Sequence, residues 1–261
     1  MTNKQDKVFF SIITPTYNSL EFFDTSRSSL LLQEFTSYEH IVIDNNSSDG
    51  IEVYLDSCKD NRTFFLSEKD DGIYDALNKG IRNSNGKVIG ILHSDDFYNN
   101  SEVLRRVYEA FQDNEIKLVY SDLNYVSKNN KKRIIRFWKS GAYAPWKLKF
   151  GWMPPHPTVF VRRDILISNG LYSLDFKIAS DYDFLLRLLN SLEPEQCRYI
   201  SKVLVNMQTG GESNKNLKNI FLKMREDYLI AKKNSMNGVI VVFFKNFIKI
   251  SQLFRKKNEP S

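Results

Sequence analysis

Among its 261 residues the chain has only two cysteines and three histidines. Cys58 and Cys197 lie far apart, and neither belongs to a CxxC or Cys/His cluster, which excludes a disulfide framework and argues against zinc. His40, His93 and His156 fall in unrelated sequence contexts, so a metal centre built on histidine is not expected and each reads as structural. Long apolar runs are missing too. The most apolar stretch, Val239 to Phe244, is followed by Lys245 and Lys249 and cannot supply the roughly 20 apolar residues of a spanning helix. Met1 to Lys7 is polar and lacks the apolar segment of an export signal, so a cytoplasmic location is the expectation. G-x-G occurs nowhere, which excludes a dinucleotide-binding turn. Gly86-Lys87 is followed by Val88 and makes no P-loop, and there is no G-x-S-x-G elbow. Neither an internal repeat nor a low-complexity tract is present.

What is there suits a folded globular protein. Hydrophobic residues make up 42% and charged residues 26%, enough for one substantial α/β domain with a small appendage. The net charge of +6 is unevenly spread. Between Leu123 and Arg163 the chain carries ten basic residues and no acidic one, and Lys245 to Lys257 adds five more, so the remainder is net acidic. A basic band and tail on an acidic body imply an anionic partner for those segments.

Strand and helix signals alternate. Phe9 to Thr14 reads as a strand turning out at Pro15, Glu21 to Gln33 as a helix burying Leu30 and Leu31, and His40 to Ile43 as a second strand. Asp44-Asn45-Asn46-Ser47-Ser48-Asp49-Gly50 is a dense polar turn. Ile51 to Ser57 and Thr63 to Leu66 follow as helix and strand, and Ile73 to Arg82 as a helix with Ile73, Leu77 and Ile81 on one face. Val88 to Leu92 is a buried strand that stops at His93-Ser94-Asp95-Asp96. Polar residues thus gather after each strand, where an open α/β sheet binds its ligand. Asp95 and Asp96 either hold a cation there or merely shape the turn. Beyond the basic band, Thr158 to Val161 and Arg198 to Val205 read as strands, Asp181 to Asn190 and Lys215 to Asn234 as helices, and Lys232 to Gly238 as a linker.

Pro15-Thr16-Tyr17-Asn18 after the first strand, the Asp44 to Gly50 turn after the second, and Ser94-Asp95-Asp96 after the fourth resemble the strand-end motifs of the family 2 glycosyltransferases of GT-A fold. Glu68 to Ile81 is similar to the E-x-D-x-G-I-Y-D-A-M-N-K-G-I run of polysaccharide-assembling members. Ala179 to Phe184 resembles the segment with that family's catalytic carboxylate, and Gly210-Gly211-Glu212-Ser213 its G-G-x-S loop. The resemblance covers roughly Phe9 to Ser213. It implies an α/β fold of GT-A type, a Rossmann-like mixed sheet with helices on both faces. It also implies transfer, with inversion, of a sugar from a nucleotide-sugar donor to a growing glycan; Asp44 as acceptor for an imide N–H favours a UDP-linked donor, and a lipid-diphosphate-linked acceptor, as in surface polysaccharide assembly, fits the basic band and tail.

On that resemblance Asp96 holds Mn²⁺ or Mg²⁺, and Asp95 holds the ribose or a metal-bound water. The S-D-D order, where the family often has D-x-D, leaves open which carboxylate touches the ion. Pro15, Thr16, Tyr17 and Asn18 enclose the base with Asp44 at its edge, and Ser94, Asp75 and Asn78 reach the donor. Asp44 and Asp49 read equally as turn and cap residues, and Asp75 and Asn78 as solvated surface. Asp181, at the start of an apolar helix, is the candidate general base, with helix capping as its plain alternative. Asp183 and Arg187 form a helical ion pair. Trp152, Met153, Pro155 and His156 are candidate acceptor-cleft residues or core. The catalytic domain is expected over 1–234 and a basic amphipathic helix over 235–261. That helix puts Ile240, Phe243, Phe247, Ile250 and Phe254 at three- and four-residue steps, to lie on the inner membrane surface or to pack on the domain or a second subunit. A nucleotidyltransferase lacks its glycine-rich basic loop here, and a nucleic-acid-binding module lacks a reading helix or aromatic RNP motif, so no nucleic-acid partner is expected.

Overall fold

The computed structural model describes residues 8–58, 60–209 and 217–253. The Gly210 to Ser213 motif, Phe254 and the basic residues Arg255 to Lys257 lie outside them. Nine strands among the described residues form one mixed sheet. Its parallel half is β3 (Thr63–Ser67), β2 (Tyr38–Asp44), β1 (Phe10–Thr16) and β4 (Val88–Ile91), in that order. β8 (Phe160–Arg162) runs antiparallel between β4 and β6 (Leu118–Ser127). β9 (Cys197–Gln208) is parallel to β6, and the short β5 (Asp96–Tyr98) is antiparallel to β9 at the edge. β7 (Asn130–Trp138) hairpins back on β6.

The apolar runs of β1, β2 and β4 are buried on both faces, as parallel strands covered by helices must be. α1 (Leu20–Leu31), α2 (Ile51–Cys58), α3 (Ile73–Arg82) and α4 (Val103–Ala110) are the helices of this half. β1 runs two residues further than expected. Thr16 accepts a hydrogen bond from Asn45 on the β2 side and Ile13 accepts one from Leu92 on the β4 side. Pro15 therefore turns its missing N–H towards the side where β4 has already ended, and the strand loses nothing. Leu77 and Ile81 are buried as expected, but Ile73, in the first turn of α3, is exposed, and Leu31 is only half-buried. Gly90 lets β8 close on β4, since a Cβ there would stand 2.5 Å from the Phe160 ring.

β4 and β5 lie four places apart in the sheet, about 19 Å in a flat one. The chain between them turns at His93, whose carbonyl accepts from Asp96 N at 3.0 Å, and so spans at most about 14 Å. The sheet must curl, and the register shifts between β6 and β9 around Asp122 are where it does so. Curling brings the edge strand, with Asp96, back over the end of β4.

In the C-terminal part, α6 (Arg163–Ser168) packs on β8, α7 (Ser180–Asn190) on α5 (Pro145–Leu148) and α8 (Leu217–Lys233), and α9 (Gly238–Leu253) on α8 and β7. The expected linker is a tight turn, with Gly238 set against Tyr228. α9 buries Val241 and Lys245 in the body. Of the placements open to this helix, Lys245 takes the domain rather than the membrane surface: it pairs with Asp227 at 2.5 Å and lies 3.4 Å over the Tyr182 ring, while Lys223 holds the other Asp227 oxygen at 2.9 Å. Burial and the neighbouring Lys223 push the Lys245 ammonium down to about 7, against the pull of Asp227. No helix among the described residues is long and apolar enough to cross a membrane.

Candidate active site

The turn after β4 is held from two sides. Ser26 of α1 donates to the His93 carbonyl at 3.0 Å, and Ser29 accepts from Tyr98 N at 3.0 Å. Ser94 and Asp95 sit on this turn, partly exposed. Asp96 is 1% exposed, and neither of its carboxylate oxygens has a hydrogen-bond partner among the described residues. Burial and the adjacent Asp95 hold its pKa well above the ordinary carboxylate value, and the Gln208 backbone N–H, near but outside hydrogen-bond geometry, offsets this only in part. A buried carboxylate without a donor is costly unless something cationic joins it. Paired oxygens of Asp95 and Asp96 suit a hard divalent cation. No group of three or more Asp, Glu, His or Cys side chains arranged to hold a metal occurs among the described residues, so such an ion would need further oxygens from substrate or water.

Asp181 opens α7, where its Oδ1 accepts from Tyr182 N at 2.8 Å. Its charge reaches His93 and His156, and Asp95 reaches both His93 and Asp96, so the three carboxylates lie within electrostatic reach of the same pair of imidazoles. The histidines are not in unrelated contexts after all. His93 and His156 lie 5.9 Å apart, and His156 Nε2 meets the Tyr172 hydroxyl at 2.7 Å. Burial depresses both, His156 to about 4, although Asp181 pulls upward. His40 is a core residue as expected, bonded to Thr14, stacked on Phe23, and pushed down by burial to about 3.

These depressions set a pH dependence. A buried neutral histidine leaves the unfolded chain with the greater proton uptake below its ordinary pKa of 6.5. The stability contributed by neutral His40 and His156 is therefore complete above about pH 6.5 and is lost on acidification towards pH 4, by roughly 3 kcal/mol per histidine. Urea unfolding followed between pH 7 and pH 4 should show this slope, and His156→Gln should flatten it.

The base-pocket residues divide. Pro15 and Thr16 are buried, whereas Tyr17 and Asn18 are exposed at the rim. Asn18 adopts positive φ and locks to the neighbouring turn, donating from its N to Ser47 Oγ and accepting from Ser48 N. Asp44 is buried, with its carboxylate engaged by Ser47 N, Ser47 Oγ and Ser67 Oγ, which is the turn-shaping arrangement. Meeting a base edge would require the serine hydroxyls to give way. Asp49 caps α1 through Leu20 N and meets Ile51 N at the start of α2.

Asp75 is partly exposed and shared with Lys79, at 3.4 Å. Asn78 does not reach the donor side. Both ends of its amide are taken by the Tyr172 backbone, each at 2.9 Å, because α3 packs directly on that loop. Asp183 pairs with Arg187 at 2.9 Å as expected. Trp152 donates to the Ser140 carbonyl and packs on the core with Met153.

Three features escaped sequence reasoning. Glu226 of α8, 5% exposed, accepts from Lys177 N, Ile178 N and Ala179 N at 2.8–2.9 Å, fixing the segment that leads into Asp181. Arg136 of β7 lies 3.6 Å over the Tyr125 ring, and both Asp96 and Asp181 raise the Tyr125 phenol, whose largest shift comes from burial. The β6–β7 hairpin is thus within electrostatic reach of both carboxylates. The third is the His93–His156 pair itself. Glu226→Gln would set an amide N–H₂ against a backbone N–H and remove charge-assisted bonds. It is expected to cost about 1–3 kcal/mol in unfolding free energy and to lower kcat with little change in donor affinity, read by denaturation and by nucleotide titration.

The sequence profile described as glycosyl transferase family 2 matches residues 11–166. An uncharacterized glycosyltransferase of Mycobacterium tuberculosis is 31% identical over 192 residues, covering 73% of this chain and 72% of the relative. A PGL/p-HBAD biosynthesis glycosyltransferase of Mycobacterium bovis is 28% identical over 219 residues, 82% of each. Among solved structures, S. aureus TarS 1-349 in complex with UDP-GlcNAc superposes with a TM-score of 0.68 at 18% identity, covering 96% of this chain and 74% of that one. A Pyrobaculum calidifontis mannosyltransferase in complex with GDP-Man and Mn²⁺ gives 0.63 at 14% identity, covering 93% and 70%. These neighbours share the curled GT-A fold.

Proposed function

Because the chain belongs to glycosyl transferase family 2 and is a glycosyltransferase, we propose that it moves a sugar, with inversion, from a UDP-sugar to a hydroxyl of a glycan carried on a lipid diphosphate at the cytoplasmic face of a membrane. The observation that carries this reading is the buried, unpartnered Asp96 carboxylate beside Asp95, next to the imidazoles that the Asp181 charge also reaches. In this reading Asp95 and Asp96 hold Mg²⁺ or Mn²⁺. When bound, such an ion offsets the negative charge that grows on the departing diphosphate.

The chain's own groups do the rest. Asp181 takes the proton of the acceptor hydroxyl as its oxygen bonds to the anomeric carbon, and the carbon–oxygen bond to the nucleoside diphosphate breaks with its electron pair leaving on the diphosphate. Glu226 keeps the Asp181 helix start in place by holding the backbone that leads into it. Pro15, Thr16, Tyr17 and Asn18 enclose the base, Asp44 lies at its edge, and Ser94 and Asp75 line the donor side. The catalytic unit takes residues 1–234, and 235–261 are a basic tail whose helix α9, Gly238–Leu253, docks on it. The UDP preference draws support from the TarS complex, and the cation from the mannosyltransferase complex.

Thermal unfolding with UDP-, GDP- and dTDP-sugars, each with and without Mn²⁺, tests the reading. Stabilisation by UDP-sugars that requires the ion is the expected result, by about 3 kcal/mol at a hundredfold excess over Kd. No response to any nucleotide-sugar would sink it.

A further inference from the structure

We propose that the protein docks on an anionic bilayer through an aromatic face built by α5 and α9; this deepens the lipid-linked-acceptor reading and rests on it for its biological sense. The face is continuous. Trp146 meets Phe150 at a ring separation of 6.1 Å, Phe150 meets Phe244 at 5.2 Å, Phe244 meets Phe243 at 5.4 Å, and Phe243 stacks on Phe247 at 6.3 Å. Its outermost rings are open to solvent, with Trp146 61%, Phe243 62% and Phe247 58% exposed. α9 has thus committed one side, Val241 and Lys245, to the body and left the other uncovered. Single exposed apolar residues are ordinary, whereas a contiguous run of them marks a surface that something covers.

Charge identifies what covers it. The two stretches that build the face, 139–163 and 228–253, contain no Asp or Glu. Lys147 and Lys149 flank Trp146 and Phe150, and Lys232 and Lys233 end the helix that turns into α9. Tryptophan and phenylalanine rings with lysines around them meet both demands of an anionic lipid surface, the apolar boundary and the headgroup charge. A second copy of the chain fits less well, because a two-fold interface sets each patch against itself and would bring these lysines together. Duplex nucleic acid, whose bases are already stacked, would leave the phenylalanine faces without apolar cover. Docking by this face would hold the catalytic helix close to the bilayer, since Lys245 of α9 touches Tyr182, the neighbour of Asp181.

The test is co-sedimentation of the full chain with phosphatidylcholine vesicles and with vesicles containing about 30 mol% phosphatidylglycerol, near physiological salt. The protein should pellet with the anionic vesicles at least tenfold more strongly than with the neutral ones, and less strongly as salt rises. F243S/F247S, and separately W146S, should lose that partition tenfold or more while keeping the wild-type Tm and donor-induced stabilisation. These positions are exposed, and two elements are probed independently, so a folding defect in one variant leaves the other decisive. The proposal is overturned if the wild type stays in the supernatant with both vesicles, if both variants bind as the wild type does, or if light scattering gives a dimer that F243S/F247S converts to monomer without vesicle binding. Vesicle binding requires neither donor nor acceptor. Its failure therefore leaves the transfer reaction standing, and absence of sugar transfer leaves the docking face standing.

Discussion

Asp181→Asn protein should bind its nucleotide-sugar as tightly as the wild type and transfer the sugar about 10³-fold more slowly, a rise of about 4 kcal/mol in the barrier. Asparagine is nearly isosteric, and its carbonyl oxygen can still accept the bond from Tyr182 N that Asp181 Oδ1 accepts at 2.8 Å. The start of α7 is therefore preserved. What disappears is a group able to take a proton from the acceptor, together with a negative charge. The charge has its own signature. Asp181 now pulls the imidazoles of His93 and His156 upward against burial, so in the variant both should titrate lower still. Nucleotide titration, single-turnover transfer and histidine NMR together separate a lost base from a lost fold. Unchanged turnover with the imidazoles shifted would show that Asp181 lies at the site but is not the base.

Asp96→Asn carries the second large effect, and it has two signs. Transfer should fall by 10³-fold or more, because the oxygen offered to a cation is replaced by one of lower charge. Stability without added metal should rise, by about 1–2 kcal/mol, because the folded wild type must either bury an unpartnered charge or take up a proton there. Mn²⁺ should raise the Tm of the wild type and leave that of the variant unmoved, and EDTA should erase the difference the ion makes. A variant that gains no stability, or that still responds to Mn²⁺, would place the cation elsewhere.

Much of the parallel half could be read directly, because its information is local. The apolar runs of β1, β2 and β4 announce strands covered on both faces, and polar residues after each mark the edge where ligands bind. The i,i+4 pair of Asp183 and Arg187 needs only helical spacing. The unread parts depend on long-range contacts. Asn78 falls on the same helix as Asp75, yet its amide is claimed by a backbone 94 residues away. Glu226 looks like any acidic residue of a charged helix, and only the fold brings it to three amides some 47 residues earlier. β7 opens on a basic run, Lys131 to Arg133, and pairs Ile134 with Ile135 without period-two alternation, so its exposed edge resembles a loop until its partner β6 is known. Lys245 carries the spacing of a lipid-facing lysine. Nothing in its neighbourhood along the chain tells of Asp227, which takes it inside.

That ion pair governs how short the enzyme can be made. Ending the chain after Asn237 would discard a helix that looks dispensable, yet it would strip the Tyr182 ring of its cation and leave Asp227 with Lys223 alone. The bare side of α7 would then open to water one residue from Asp181, so a fragment trimmed at the turn should fold loosely around its most critical carboxylate.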